Sequence, residues 1–365
     1  MDKEAIEWAN QPLETYKPDI EILPFRKAII RKDRLPQRAP ELVAGLLRQG
    51  ATLLLQGAAK MAKSFALIAL AIALATGIRW LGFQCRKSKV LYINLEIHPA
   101  SFDWRVFEVA QALGADMQAV EDNLTIWNAR GENLTIEDIR EKFDLWELDG
   151  TFDAIIIDPL YKVQAGDENT TESINRFFNV IEAIAKETGA SIIMCHHHSK
   201  GSQRHKQSIE RSSGSGTFGR APDTIIDFTE FPRDKAIDEL KQKVSAMREA
   251  TALLMSFTVR DFKSPEDFGV WFEYPIHKCD TTGLLSSAAF RKEYSAEYAS
   301  AAQAEVDEAI TRLLEGKEYV LRTEIADALG GKDRKTIDKY VENSSLFESE
   351  TVNNNSVQIR RIKTG

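Results

Sequence analysis

Only three cysteines, Cys85, Cys195 and Cys279, occur in 365 residues. Their count is odd and no two share a metal-type spacing, which excludes a disulfide framework or a zinc ribbon and fits a reducing compartment. Long hydrophobic runs are missing as well. The longest, Phe65 to Ala75, falls short of the roughly 20 residues that span a bilayer. The opening MDKEAIEWANQPLETYKPDIE lacks the basic start and apolar stretch of a signal peptide. A cytoplasmic protein with no membrane partner is the expectation. Excess positive charge is absent too: the net charge is -8, so any nucleic-acid contact has to come from local basic patches. No internal repeat is present.

The composition, 43% hydrophobic and 28% charged, is that of a soluble globular chain, and its length allows two or three domains. Residues 1–39 mix prolines with charge and read as a loosely ordered or subunit-contacting arm. A short helix is expected over Pro40 to Gln49. Apolar strands then alternate with helices: strands from Leu53, over Lys89 to Glu96, Leu124 to Asn128, Phe152 to Leu160 and Gly189 to His198, and helices over Ser101 to Leu113, Thr135 to Leu148 and Thr171 to Thr188. Near-continuous Ile, Val and Leu runs separated by helices predict a parallel sheet covered on both faces, with ligands at the carboxyl ends of its strands. Segments 223–231 and 252–276 are β-rich, with a helix from Lys235 to Arg248 between them and a hairpin, VRDFKSPEDFGVWFEYP, that extends the sheet.

The central stretch is LLLQGAAKMAKSFALIALAIALAT, Leu53 to Thr76. It reads as a buried strand, a tight loop (Gly57, Ala58, Ala59, Lys60, Met61, Ala62, Lys63, Ser64) and a helix opening at Phe65. The loop is close to GxxxxGK[ST], in which backbone N–H groups and a helix N-terminus surround phosphates, the lysine neutralises charge and the hydroxyl holds Mg²⁺. Ala62 stands where the second glycine belongs, placing a Cβ where the backbone passes closest to phosphate. An ordinary strand-to-helix turn with exposed lysines is the bland alternative. Asp158, after the run Ala154 to Ile157, sits where a carboxylate orients Mg²⁺ or its water, rather than serving as a simple turn residue before Pro159. Glu96 is a candidate general base or, more plainly, a helix cap. His196, His197 and His198 alternate sides on a strand and cannot share one metal; an imidazole at that edge can instead sense a γ-phosphate.

Between Lys200 and Arg220 there are five basic residues (Lys200, Arg204, Lys206, Arg211, Arg220) against Glu210 alone. Arg220 is a candidate arginine finger and the other four are candidate DNA contacts, with a solvated loop as the alternative.

Together, PELVAGLLRQGATLLLQGAAKMAKS, VLYINLE, IIIDPL, the HHxxKG pattern of His196, His197, Lys200 and Gly201, and GSGTFGRAPD resemble the RecA-like P-loop ATPases that include plasmid RepA replicative helicases, over about residues 38–275. The resemblance implies an α/β RecA-like core, residues 40–279, with a mostly parallel central sheet. It further implies ATP and Mg²⁺ as cofactors, hydrolysis between subunits of a homo-oligomer, usually a hexameric ring, and work on single-stranded or double-stranded DNA. By position it assigns Lys63 and Ser64 to phosphate and metal, Glu96 to catalysis, Asp158 to the metal carboxylate, His197 to sensing and Arg220 to the finger. Residues 280–303 read as a linker, and 304–365 as a small winged-helix domain in which Val306, Ile310, Ile325, Ile337 and Val341 point inward. That domain carries ten Lys and Arg against twelve Asp and Glu, leaving DNA contact and protein docking equally open. A DNA-dependent motor, a nucleotide-sensing regulator or helicase loader weakened by Ala62, and a strand-exchange protein are the competing functions.

Overall fold

The computed structural model describes residues 3–10, 28, 30–163, 171–197, 221–231, 235–244, 247–286, 303, 306–329, 334–344, 346–352 and 356–362. The chain divides into two compact units, Met1–Phe290 and Arg291–Gly365.

Helix α1 (Lys3–Asn10) precedes the first strands. Although the arm reads from its sequence as loosely ordered, α1 docks: Ala9 is buried and its carbonyl accepts from Lys87 N at 3.0 Å, while the Arg86 guanidinium lies 4.7 Å over the Trp8 ring. The helix expected over Pro40 to Gln49 is instead a hairpin, β1 (Glu41–Val43) and β2 (Leu47–Arg48). Gly45 turns at φ +71° and donates its N–H to the Glu41 carboxylate at 3.0 Å, while Gln49 N returns to Pro40 O at 2.9 Å. A glycine at positive φ in mid-segment and a side chain that caps the turn outweigh the apolar period of a short segment.

The main sheet follows. Its strands are β3 (Thr52–Gly57), β6 (Val90–Asn94), β7 (Leu124–Asn128), β8 (Ala154–Asp158), β9 (Ser191–His197), β10 (Thr224–Glu230), β11 (Thr251–Val259), β12 (Phe268–Glu273) and β13 (Ile276–Cys279), in the spatial order β13-β12-β11-β10-β3-β9-β8-β6-β7. From β10 to β7 all neighbours are parallel; β11 to β13 are added antiparallel. A small hairpin, β4 (Arg79–Trp80) and β5 (Phe83–Gln84), lies outside it.

Alternation along each strand divides the core in two. Leu53, Leu55, Tyr92, Ile156, Ile193, Cys195, Ile226 and Phe228 point to one face, packed with α2 (Lys63–Thr76), α3 (Pro99–Leu113) and α4 (Met117–Asn123). Leu54, Leu91, Ile93, Ile155, Ile157, Ile192 and Met194 point to the other, covered by α5 (Ile136–Leu145) and α6 (Thr171–Thr188). Helix α2 is buried at every position from Ala66 to Ala75. Its alanines allow the close approach to the sheet and to α3 and α4, and each fully buried Leu or Ile contributes about 1.5–3 kcal/mol. Helix α7 (Lys235–Lys243) links β10 to β11.

Residues 280–285 form a turn held against β12. Asp280 accepts from Trp271 Nε1, Thr282 N and Leu285 N, each at 2.9 Å, and Leu285 is 1% exposed over Gly269. The second unit holds helix α8 (306–313), β14 (Val320–Leu321), α9 (Arg322–Ala328), α10 (Arg334–Asn343), β15 (Phe347–Val352) and β16 (Ser356–Arg361), with strand order β14-β16-β15. Val306, Ile310, Val320, Ile325, Ile337, Val341, Phe347 and Ile359 form its own core.

A methyl group on Gly269 would overlap the Cβ and carbonyl of Leu285. Gly269→Ala is expected to lower stability by about 1–3 kcal/mol through overpacking, read as a lower urea midpoint of unfolding with an unchanged slope.

Candidate active site

Strand register sets the tips of β3, β9, β8 and β6 side by side: Gly57 pairs with His197, Ile157 with Met194, and Asn94 with Asp158. Parity then decides which side chains share the face of α2. Tyr92, Asp158, Cys195 and His197 do, in step with the inward residues Ile156 and Ile193. His196 falls on the opposite face, and His198 lies outside the described residues.

The loop between β3 and α2 bends through two left-handed residues, Lys60 (φ +65°) and Ala62 (φ +53°, ψ +29°), and Ala62 caps α2 with its carbonyl accepting from Ala66 N at 3.2 Å. Gly57 sits in a close approach of another kind: a Cβ there would stand 3.0 Å from Phe228 O and 3.2 Å from Phe228 Cβ on the adjoining strand, so that strand would have to shift by a few tenths of an ångström. Lys63 is 4% exposed. Its ammonium donates to Gly57 O at 2.8 Å and Ala58 O at 2.7 Å and meets His197 Nδ1 at 3.0 Å. All three ammonium protons are therefore engaged, and His197 accepts at Nδ1 as a neutral ring with its proton on Nε2. Burial pushes the Lys63 pKa down, while Cys195, Asp158, Asp227 and Glu96 act in the opposite direction.

Asp158 is 4% exposed and accepts from Tyr92 Oη at 2.7 Å. Burial raises its pKa; hydrogen bonds from Tyr92, Ser64 and Cys195 act against that shift, and the nearby Glu96 adds to it. Burial likewise pushes the Cys195 thiol well up, so it is protonated and serves as a donor to the carboxylate. Glu96, expected at the end of a strand, lies in the turn two residues beyond β6 and is exposed. Asn94 builds that turn: its side chain donates to Ile97 O (2.7 Å) and Asn128 Oδ1 (2.8 Å) and accepts from Ile97 N (2.9 Å). Tyr161 Oη donates to Glu96 Oε1 at 3.3 Å and its ring stands 5.8 Å from the His197 ring.

Beside the loop, Phe65 is flanked by Phe272 (5.6 Å) and Tyr274 (5.4 Å), with the Arg105 guanidinium 4.8 Å over its ring. Tyr274 Oη bonds Glu108 on α3 at 2.6 Å. Of the sequence-predicted residues, the loop 57–65, Glu96, Asp158 and His197 thus converge on one crevice. Lys200, Arg204, Lys206, Arg211 and Arg220 lie outside the described residues. Sequence reasoning passes over Tyr92, Asn94 and Tyr161; an Asn closing an otherwise apolar strand and a Tyr three residues after Asp158 are the available signals.

Among the described residues no group of three or more His, Cys, Asp or Glu side chains could hold a metal ion. The hydroxyl of Ser64 bonded to the Asp158 carboxylate is instead an all-oxygen pair of the kind Mg²⁺ takes together with phosphate oxygens. The residues present therefore fit that ion.

Two stability measurements test this description. Left-handed alanine costs about 1–2 kcal/mol relative to right-handed backbone, so Ala62→Gly is expected to raise the urea unfolding free energy by about 1 kcal/mol, less any backbone entropy the glycine loses. Because the folded-state pKa of Asp158 is raised, the stability it confers is complete at acid pH and is lost as pH rises through the folded value. Asp158→Asn removes that loss: nucleotide-free protein is expected to gain about 1–2 kcal/mol at neutral pH, with a flatter stability profile toward acid.

No curated protein sequence matches the chain. Similar solved structures include the ATPase domain of G40P, 15% identical with a TM-score of 0.46 over 64% of this chain and 86% of that one, and the RadB recombinase, 11% identical with a TM-score of 0.43 over 64% and 91%. The family model described as AAA domain, AAA_25, matches residues 21–203. With half the chain under that match and a phosphate-type loop, a buried carboxylate and a lysine-bonded histidine at adjoining strand tips, the protein belongs to the AAA_25 family of AAA domains.

Proposed function

We propose that the chain is an ATP-hydrolysing motor of the RecA-like, RepA type that acts on DNA, working in the cytoplasm as a ring-shaped homo-oligomer. The observation that carries the reading is the convergence of Lys63, Ser64, Asp158, Glu96 and His197 on the carboxyl edge of a parallel sheet. A triphosphate entering this crevice offers Lys63 charged acceptors in place of two carbonyls and an imidazole, and charge-assisted bonds are roughly twice as strong as neutral ones. Ser64 and Asp158 are the residues that would hold Mg²⁺, which when bound would supply neutralisation of the phosphate charge. Glu96, oriented through Oε1 by Tyr161, keeps its other oxygen for the attacking water. His197, once Lys63 turns to the triphosphate, follows the γ-phosphate and passes its loss to residues 198–220. Arg220 acts on the neighbouring subunit's nucleotide, and Lys200, Arg204, Lys206 and Arg211 follow the DNA backbone. Residues 304–365 act as a winged helix joined through 280–303, which suits the three-stranded sheet and the α9–α10 pair of the second unit.

Ala62 favours a second reading, a nucleotide-sensing regulator or loader with weak hydrolysis, because its methyl group stands at a left-handed position. ATP turnover with and without single-stranded DNA separates the two. Stimulation by DNA supports the motor; bound ATP with turnover at background supports the regulator. A ligand at 100 times its Kd stabilises a protein by about 2.7 kcal/mol. Lys63→Ala is expected to lose that ATP-induced rise in melting temperature, whereas Arg220→Ala keeps it and loses turnover only in the assembled state. Either variant with full activity contradicts its assigned role.

A further inference from the structure

His277, on β13, lies under the phosphate loop and takes no part in the crevice. Its ring is 6% exposed and sits between Phe228 of β10, at 5.1 Å, and Phe272 of β12, at 4.8 Å. It faces the backbone of Met61. Neither ring nitrogen completes a hydrogen bond of good geometry, although both are buried. More than nine in ten buried polar groups are partnered, and packing alone would be served by phenylalanine, as it is on both sides of this ring. Burial holds the imidazole pKa down to about 3, so the ring is neutral across the working range and has one N–H to give.

Met61 stands between Lys60 and Ala62, two non-glycine residues at positive φ within one loop. Its backbone is thus the point where a bent loop without its second glycine meets a buried imidazole whose hydrogen bond to it is incomplete. We propose that His277 is a positioning residue for the phosphate loop: its ring N–H closes on the Met61 carbonyl as the loop wraps a triphosphate and holds the left-handed bend that a glycine would adopt unaided. The ring stack Phe228, His277, Phe272, Phe65 then forms a continuous underside to the loop.

This inference rests on the triphosphate reading of the crevice, and the experiment separates the two. The affinity of full-length protein for Mg-ATP is titrated calorimetrically for wild type, His277→Phe, His277→Gln, Ala62→Gly and Ala62→Gly with His277→Phe, alongside melting curves without nucleotide. His277→Phe keeps the packing and removes the donor. It is expected to weaken ATP binding about tenfold, the worth of one hydrogen bond, without lowering the nucleotide-free melting temperature, and His277→Gln is expected to recover part of that loss. On the Ala62→Gly background the same change is expected to cost less than about threefold, since neighbouring sites that share a task are non-additive. A measurement on wild type needs no variant: in ¹⁵N-histidine-labelled protein the His277 ring N–H signal moves downfield on saturation with Mg-ATP. Wild type that binds no ATP overturns the reading of the crevice and this proposal with it. Wild type that binds while His277→Phe binds within about twofold of it, or a His277 ring signal unmoved at saturation, overturns the proposal alone.

Discussion

Lys63 has its ammonium fully engaged inside the protein, on the carbonyls of Gly57 and Ala58 and on His197 Nδ1. A cation 4% exposed is tolerated only where every proton finds an acceptor, and here the acceptors are contributed by three separate features. One is the end of β3, another the first turn of the loop, and the third is the tip of β9. The lysine therefore ties the phosphate loop to the adjoining strand before any ligand arrives. Its acceptors are neutral groups, which are weak enough to yield to a phosphate and strong enough to keep the loop open around it. The same contact favours the His197 tautomer that accepts at Nδ1 and carries its proton on Nε2.

The sheet turns this local contact into a site. Side chains on alternate positions go to opposite faces, so a single parity choice, made at Ile156 and Ile193, sends Asp158, Cys195 and His197 to the face of α2 and leaves His196 on the other. The carboxylate pays for its position with a raised pKa, which the donors Tyr92, Ser64 and Cys195 moderate without cancelling. A buried carboxylate whose pKa is raised by desolvation is a site whose electrostatics a bound cation would complete. Stability is thereby exchanged for readiness to bind.

Much of this was legible in the chain itself. The phosphate loop, Asp158 and His197 sit where apolar runs end, because a parallel sheet buried on both faces leaves polar side chains few positions except the strand tips. The hairpin at 41–48 was not legible: its apolar spacing suits a helix, and only the bonds Gly45 N to Glu41 and Gln49 N to Pro40 O reveal the turn at Gly45. Glu96 was displaced by two residues from the strand end because the Asn94 side chain, and not the strand, sets the path of the chain. Tyr92 passes for a core aromatic in any strand of that composition; its hydroxyl acquires meaning only from the neighbouring β8 in register. His277 is more than 200 residues from the loop it faces, and nothing local to it announces the contact.

In the nine-stranded order, β3 is the middle strand, with four neighbours on either side. Sheets come apart from their margins, and backbone amides at the centre exchange with solvent only when the whole unit opens. The phosphate loop consequently rises from the last piece of the molecule to loosen. Breathing at β7 on one margin or β13 on the other leaves its footing intact, and this sheet delivers mechanical steadiness to a loop whose backbone bends twice against its own residue types.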